Sequence, residues 1–334
     1  MVNLIELAHV VDVLDSIGAR SVATKALGAA DLNRDMLLSG EGYIPYASMA
    51  VMLEAAARAL GERHLGVHIG RRFDYNIYGG YSDYVLSAPY LGAALARARR
   101  ALPLIHPGSD LSLRVEGRNV TIAFSTSVAS VLGYRHITEG SLFVIAQAFH
   151  HFLGPSWHPL WLEISVEDDG ARSLLEEFMQ SPLRVGAPHT ALVFDKADLR
   201  ARNPHENDLS RVSTFQEVVA GMSPPIPLTT ADALLHLFRL RRAGADFTQD
   251  SAAEHLMVGT RTLQRDLRSE NTSFREVKAR HLTERARALL AESDLSVDAV
   301  ARSLGYSEPN SFRRAFQKST GLSPRDFRLM TAVL

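Results

Sequence analysis

The sequence predicts an α+β N-terminal domain, helices with a small antiparallel sheet, followed by an all-α C-terminal domain of two helix-turn-helix units joined by a linker helix. Three observations carry that reading. Two helix-turn-helix patterns stand in tandem at Ser251 to Arg268 and Ser296 to Thr320. Between them, Phe274 to Ala291 runs without Gly or Pro, and its Val277, Leu282, Ala286, Leu289 and Leu290 suit a helix. Upstream, Leu111 to Val115 and Val120 to Phe124 alternate apolar and polar residues around Gly117-Arg118-Asn119, a hairpin signal set among helical patterns.

The chain of 334 residues exceeds what one core usually spans, so two domains are expected. Leu4 to Ile17 carries Leu4, Leu7, Ala8, Val11, Leu14 and Ile17, an amphipathic helix rather than a membrane anchor. Pro45 to Leu60 reads as a second helix, Leu91 to Leu102 as a third, and Gly140 to Phe152 as a long apolar one. Trp161 to Val166 and Ala191 to Phe194 read as strands, with Ala171 to Gln180 as a helix between them. Helices on one side of an antiparallel sheet account for this order. From Ala201 to Thr230 the chain changes character: Asn203-Pro204-His205-Glu206-Asn207-Asp208 and Ser223-Pro224-Pro225-Ile226-Pro227 cannot continue a helix. Leu209 to Met222 is expected as a short helix closing the first domain. The expected division is an N-terminal domain over 1–222, a linker over 223–230 and a domain of tandem helix-turn-helix units over 231–334.

In the first C-terminal unit, Ser251-Ala-Ala-Glu254 has capping-box spacing and predicts a helix start. Ala252, Ala253 and Leu256 follow, Val258-Gly259 turns, and Thr260 is expected to cap a second helix with Leu263 and Leu267 inward and Arg261, Gln264, Arg265 and Arg268 outward. The second unit repeats the plan. Ser296 caps a helix bearing Val297, Val300, Ala301 and Leu304, and Gly305-Tyr306 ends it. Ser307 restarts the chain as a helix with Pro309 in its first turn, where a missing amide costs little. Phe312 and Phe316 form its inner face; Arg313, Arg314, Gln317 and Lys318 surround the other. An eighteen-residue connecting helix spans roughly 27 Å. The two outer helices could then stand about 34 Å apart, one turn of DNA, and enter successive major grooves.

These residues carry a family resemblance. Gly305-Tyr306-Ser307-Glu308, Ser311-Phe312-Arg313-Arg314-Ala315-Phe316, Gly321-Leu322-Ser323-Pro324 and Phe327-Arg328 resemble the C-terminal motif of AraC/XylS-type transcription regulators. Thr262-Leu263-Gln264-Arg265 is similar to the first recognition helix of that family, and the likeness runs from Leu228 to Met330. It implies base reading by Arg261, Gln264 and Arg265 in the first unit and by Pro309, Asn310, Arg313 and Arg314 in the second. Pro309 departs from that role, having neither a backbone donor nor a polar side chain. Arginine pairs bidentately with guanine and Gln or Asn with adenine, each good pair discriminating by about 1–3 kcal/mol. Arg268, Arg302 and Lys318 suit phosphate, which adds affinity and salt dependence. Any single arginine here also fits a solvated helix position.

Residues 231–334 hold 17 Lys/Arg against 13 Asp/Glu; of the chain's 36 and 37 this leaves 19 against 24 upstream, so the basic excess lies where DNA is expected. The excess is small and would not by itself point to nucleic acid. Zero cysteines exclude the alkyl-acceptor repair enzymes and the amidase-like N-terminal domains that accompany similar DNA-binding units, as well as thiolate metal sites and disulfides. No signal peptide or run of about 20 apolar residues stands at the N-terminus, so a cytoplasmic protein without membrane partners is expected.

Upstream, Leu60-Gly61, Leu65-Gly66-Val67-His68-Ile69-Gly70, Ser87-Ala88-Pro89-Tyr90-Leu91-Gly92-Ala93-Ala94-Leu95 and Pro182-Leu183-Arg184-Val185-Gly186-Ala187 resemble the N-terminal domain of the AraC branch containing ornithine-utilisation and VirS-like regulators. Helices precede the strands, unlike a jelly roll. The resemblance implies an effector-binding domain and a transcription regulator, expected to be an activator. Its implied partners are double-stranded DNA, a small-molecule effector, RNA polymerase and a second copy of the chain. Tyr81, Tyr84, Tyr134, Arg135, His150, Trp157 and Trp161 are candidate effector contacts because each joins apolar area to a polar tip; each also fits an ordinary core or boundary position. His150, His151 and His158 do not have metal-ligand spacing, and no cofactor or metal is expected. Glu163, Glu167, Asp168 and Asp169 cluster, but Asp168-Asp169-Gly170 reads as a loop, and no enzymatic site is expected. The alternative function is a ligand-independent regulator whose N-terminal domain serves oligomerisation or protein interaction.

Overall fold

A computed structural model describes residues 1–38, 42–126, 131–165, 171–205, 213–222, 227–240, 247–256 and 258–331. The chain divides into two compact units, Met1–Ile226 and Pro227–Leu334.

The N-terminal unit begins with β1 (Val2–Asn3) and α1 (Leu4–Ile17), whose first turn is capped by Asn3 Oδ1 accepting the Ile5 amide at 3.0 Å. α2 (Arg20–Ala29), α3 (Arg34–Leu37), β2 (Tyr43–Ile44), α4 (Tyr46–Leu60) and α5 (Leu65–Gly70) follow. A 3-10 turn at Tyr75–Tyr78 leads to α6 (Gly80–Leu86) and α7 (Leu91–Ile105). β3 (Ser109–Glu116) and β4 (Asn119–Thr126) then form the expected hairpin, with Glu116 opposite Asn119 and Gly117 at φ +61° in the turn. α8 (Tyr134–Leu153), β5 (Trp161–Glu163), α9 (Ala171–Met179), β6 (Leu183–Arg184), β7 (Thr190–Asp195) and α10 (Phe215–Ala220) complete the unit.

β1 and β2 pair in a two-stranded sheet; the main sheet has the order β3-β4-β7-β5-β6 and is antiparallel except for the β5–β6 edge pair. α7 packs on β3 and α8 on β7, where Phe149 meets Phe194 edge-on with centroids 4.7 Å apart. α8 starts well before the expected Gly140. Near that start it crosses α5 closely: a Cβ at Gly66 would lie 2.2 Å from the His136 carbonyl oxygen, so only glycine admits the two backbones at that separation. α2, α3, α5 and α6 are short elements that the apolar periodicity did not mark. The strand expected over Trp161 to Val166 ends at Glu163, and Val166 with the acidic Glu167, Asp168 and Asp169 lies outside the described residues. The helix expected over Leu209 to Met222 is Phe215–Ala220, started by a Thr214–Glu217 capping box; residues 206–212 and 223–226 lie outside the described residues.

The C-terminal unit is helical: α11 (Thr230–Leu240), α12 (Gln249–His255), α13 (Thr260–Ser269), α14 (Phe274–Glu292), α15 (Val297–Ser303), α16 (Pro309–Thr320) and α17 (Pro324–Thr331). It has two small cores. One gathers Leu234, Phe238, Phe247, Leu263, Leu267 and Val277; the other gathers Ala286, Leu290, Val300, Leu304, Phe312 and Phe316. α14 contributes to both, so one helix of about 28 Å is shared by the two helix-turn-helix units. Two caps differ from expectation. Thr248 rather than Ser251 caps α12, its Oγ1 accepting the Ser251 amide at 3.2 Å. Thr260 is the first residue of α13, behind Gly259, and its hydroxyl donates to Asp250 Oδ1 at 2.7 Å. Thr248 sits one turn earlier, which lengthens α12 by including Gln249 and Asp250. Ser296 caps α15 and Pro309 opens α16, as expected.

Candidate nucleic-acid interface and ligand cavity

α13 and α16 each bury one narrow stripe. Leu263 and Leu267 are the buried residues of α13, Phe312 and Phe316 those of α16. Helical spacing places Arg261, Gln264, Arg265 and Arg268 at i, i+3, i+4 and i+7, opposite that stripe. Asn310, Arg313, Arg314 and Lys318 have the same relation to Phe312 and Phe316. All eight side chains are exposed. Pro309, by contrast, is half-buried.

The two rows differ in how they are held. Arg261, Gln264 and Arg268 make no hydrogen bond or ion pair among the described residues, and Arg265 reaches only its neighbour Asp266 at 3.2 Å. In α16, Arg313 donates to Asn310 Oδ1 at 2.7 Å and also to Asp298 of α15. Asn310 and Arg313 therefore form one preset fork, while Arg314 and Lys318 stand free among the described residues.

Inside the N-terminal unit lies a cavity of about 100 Å³, room for a small molecule rather than a single water. Its wall is largely aliphatic and aromatic and comes from α1, α4, the Tyr75–Tyr78 turn, α7, the hairpin and α8. A few polar groups line it, Glu6, His106, His136 and Ser141 among them. Glu6 Oε2 accepts the Tyr78 hydroxyl at 2.7 Å and lies 2.8 Å from His106 Nε2. Tyr46, Tyr75 and Tyr81 line the same space. Burial drives the Tyr81 phenol up to about 12 and those of Tyr46, Tyr75 and Tyr78 well above the ordinary value, the Glu6 charge adding to the effect at Tyr46 and Tyr78.

Of the seven candidate effector contacts, Tyr81 lines this cavity. Tyr134 and Arg135 line a separate outer depression of about 600 Å³, with Glu54, Arg58 and Glu62. Tyr84 is buried elsewhere, against Phe215 and beneath Arg97. Trp157 stacks on Phe149 and donates to Asp198 at 3.0 Å, while His150 Nε2 bonds the Trp157 carbonyl. Trp161 donates to Glu163 and carries Arg184 over its ring. Glu6, Tyr46, Tyr78 and His106 were not among the sequence candidates. One signal marked Glu6: it lies in register with Val10 and Val13, at i+4 and i+7, an acid inside a buried stripe.

Beside the outer depression, Glu139 is buried with His64 Nδ1 at 3.1 Å and His136 Nδ1 at 3.8 Å. Burial disfavours its charge, but hydrogen bonding and charge from His136 and His64 prevail and hold the carboxyl below its ordinary range. Among the described residues no cluster of three metal-ligating side chains is present, and no helix is long and apolar enough to cross a membrane.

Comparison with known proteins gives two family matches. Residues 22–203 match the arabinose-binding domain of AraC transcription regulators, and residues 252–330 match a helix-turn-helix domain. Along nearly its whole length the chain is similar to the ornithine utilization regulator of Pseudomonas aeruginosa, 24% identical over 98% of this chain and 96% of that one. It is 22% identical to the transcriptional regulator VirS of Mycobacterium tuberculosis, over 86% of this chain and 85% of that one. A 78-residue stretch is 41% identical to the transcriptional regulator VqsM of Pseudomonas aeruginosa, covering 23% of this chain and 24% of that one.

Proposed function

The chain belongs to the family of AraC transcription regulators with this N-terminal domain, and on that premise we propose that it is an activator whose DNA binding responds to a small molecule held in the N-terminal cavity. The observation that carries the DNA half of the reading is the pair of exposed polar rows on α13 and α16, set on one shared helix. Arg261, Gln264 and Arg265 read bases in one major groove, and Asn310, Arg313 and Arg314 in the next. Arg268 and Lys318 meet phosphate, where they set affinity and salt dependence.

The mostly apolar space lined by a few polar groups supports the effector half. A ligand that changes DNA affinity through a coupling of about 1–3 kcal/mol is sufficient for a switch, and DNA must then change ligand affinity by the same factor. RNA polymerase and a second copy of the chain are the macromolecular partners in this reading, and the cytoplasm its site of action.

Binding to the promoter region of its own gene tests the assignment. Arg265→Ala and Arg314→Ala are each expected to weaken specific binding while leaving non-specific binding nearly unchanged; if neither weakens it, these residues do not read the operator. Thermal unfolding across a metabolite library tests the effector, because a ligand bound only by the native state must raise Tm. A library without effect favours an N-terminal domain that serves oligomerisation or contacts another protein.

A further inference from the structure

We propose that the cavity of the N-terminal unit recognises a small organic cation, an ammonium group on an apolar body, and that Glu6 is the residue that binds the charge. This rests on reading the cavity as the effector site.

The argument begins with what Glu6 lacks. Its side chain is buried, and both of its partners, the Tyr78 hydroxyl and His106 Nε2, face the same oxygen, Oε2. Oε1 has no partner among the described residues. No Lys or Arg among the described residues lines the cavity. His106 is the one base beside the carboxylate there, and its Nδ1 is buried with no hydrogen-bond partner. A buried acid is costly unless its oxygens are paired, and Oε1 of Glu6 is the one left for a ligand.

The surroundings suit the missing partner. Tyr46, Tyr75, Tyr78 and Tyr81 line the cavity, and aromatic faces attract cations most strongly when water is excluded. Tyr46 also lines the cavity, and its hydroxyl makes no hydrogen bond among the described residues, so it can accept an ammonium hydrogen. Much of the wall is hydrocarbon, including Leu53, Val144 and Ile145, which fits an apolar body. A pentose would bring several hydroxyls to a wall with few groups to meet them. A carboxylate or a zwitterionic amino acid would bring negative charge to a site that already holds an acid and no lysine or arginine.

Calorimetric titration and thermal unfolding of the full chain test this with benzylamine, phenethylamine, cyclohexylamine and hexylamine, each beside the alcohol of the same skeleton. L-arabinose and hydrocinnamate serve as the sugar and the anion. At least one amine is expected to raise Tm and to bind about tenfold or more tightly than its alcohol, the step expected for a hydrogen bond between charged groups. Arabinose and hydrocinnamate are expected to do neither. In Glu6→Gln, which keeps the shape and an acceptor for Tyr78, the amine should fall to the affinity of the alcohol. Alcohols that bind as tightly as the amines overturn the cation and leave the cavity standing as an effector site, as does tight binding of arabinose or hydrocinnamate. If no compound binds, the cavity reading falls with it. Should Glu6→Gln fail to fold, the amine-to-alcohol comparison on the unmodified chain decides alone.

Discussion

The two units place their chemistry on opposite sides of their cores. In the C-terminal unit the polar groups of α13 and α16 point outward and the cores beneath them are a few leucines and phenylalanines. In the N-terminal unit the polar groups lie within the core: Glu6, His106 and the tyrosines around a cavity, Glu139 between two histidines. The difference predicts how function and stability separate. Outward groups can be removed with little effect on folding, whereas an inward group contributes to both.

The largest effect expected from that contrast is at Glu139. Glu139→Ala leaves His64 and His136 buried without their shared acid and should cost about 3–5 kcal/mol in chemical denaturation. A loss below about 1 kcal/mol would show that the interior cluster is not structurally important. The same group has a pH signature. Its folded pKa lies below its ordinary 4.5, so its contribution is fully present above that value and is lost as pH falls through the folded one. Glu139→Gln should flatten that acid limb.

Next in size is DNA recognition. Arg265→Ala and Arg314→Ala should each lower specific affinity by about 1–3 kcal/mol, read by fluorescence anisotropy, with stability within about 0.5 kcal/mol of the parent. A large stability loss in either variant would break the contrast between the units. Asp298→Ala sharpens it within the second unit, since it frees one side of Arg313; its effect should appear in discrimination between operator variants and hardly at all in Tm.

His281 of α14 gives a smaller and oppositely placed effect. It stacks on Phe238, and burial, helped by Arg285, lowers its pKa to about 4. Its folded value lies below the unfolded 6.5, so the unfolded chain binds the extra proton first. The C-terminal unit should therefore lose stability as pH falls from about 6.5 towards 4, by about 1 kcal/mol after allowance for its partial exposure. His281→Phe should remove that slope. Smallest of all, Lys318→Ala should reduce the salt dependence of DNA binding by about 0.9 in the log–log slope, without changing sequence preference.

The exposed rows of α13 and α16 were legible in the sequence because their geometry is local. Arg261, Gln264, Arg265 and Arg268 share a face through helical spacing alone, whatever the rest of the chain does. α1, α4, α7, the hairpin and α14 were legible for the same reason, being long or strongly patterned. The caps of the first unit were less so, since Thr248 and Ser251 both have capping chemistry and the choice between them depends on how α12 packs against Leu263 and Phe247. The close crossing of α5 and α8, where Gly66 meets the backbone at His136, also lay beyond periodicity, because it joins residues 70 positions apart.

The sequence by itself determined the family, the tandem DNA-reading helices and which of their residues face outward, because each follows from spacing within a turn or two of helix. Only the tertiary structure decided which side chains line the internal space of the N-terminal unit. Tyr84, Trp157 and Trp161 have the right chemistry but are engaged in packing and hydrogen bonds of their own. Glu6, Tyr78 and His106 come from an N-terminal helix, a turn and the end of α7, and only folding brings them within 2.7 Å and 2.8 Å of one another around Glu6. Long-range proximity of this kind leaves no period in the chain, and the buried acid in α1 was its single trace.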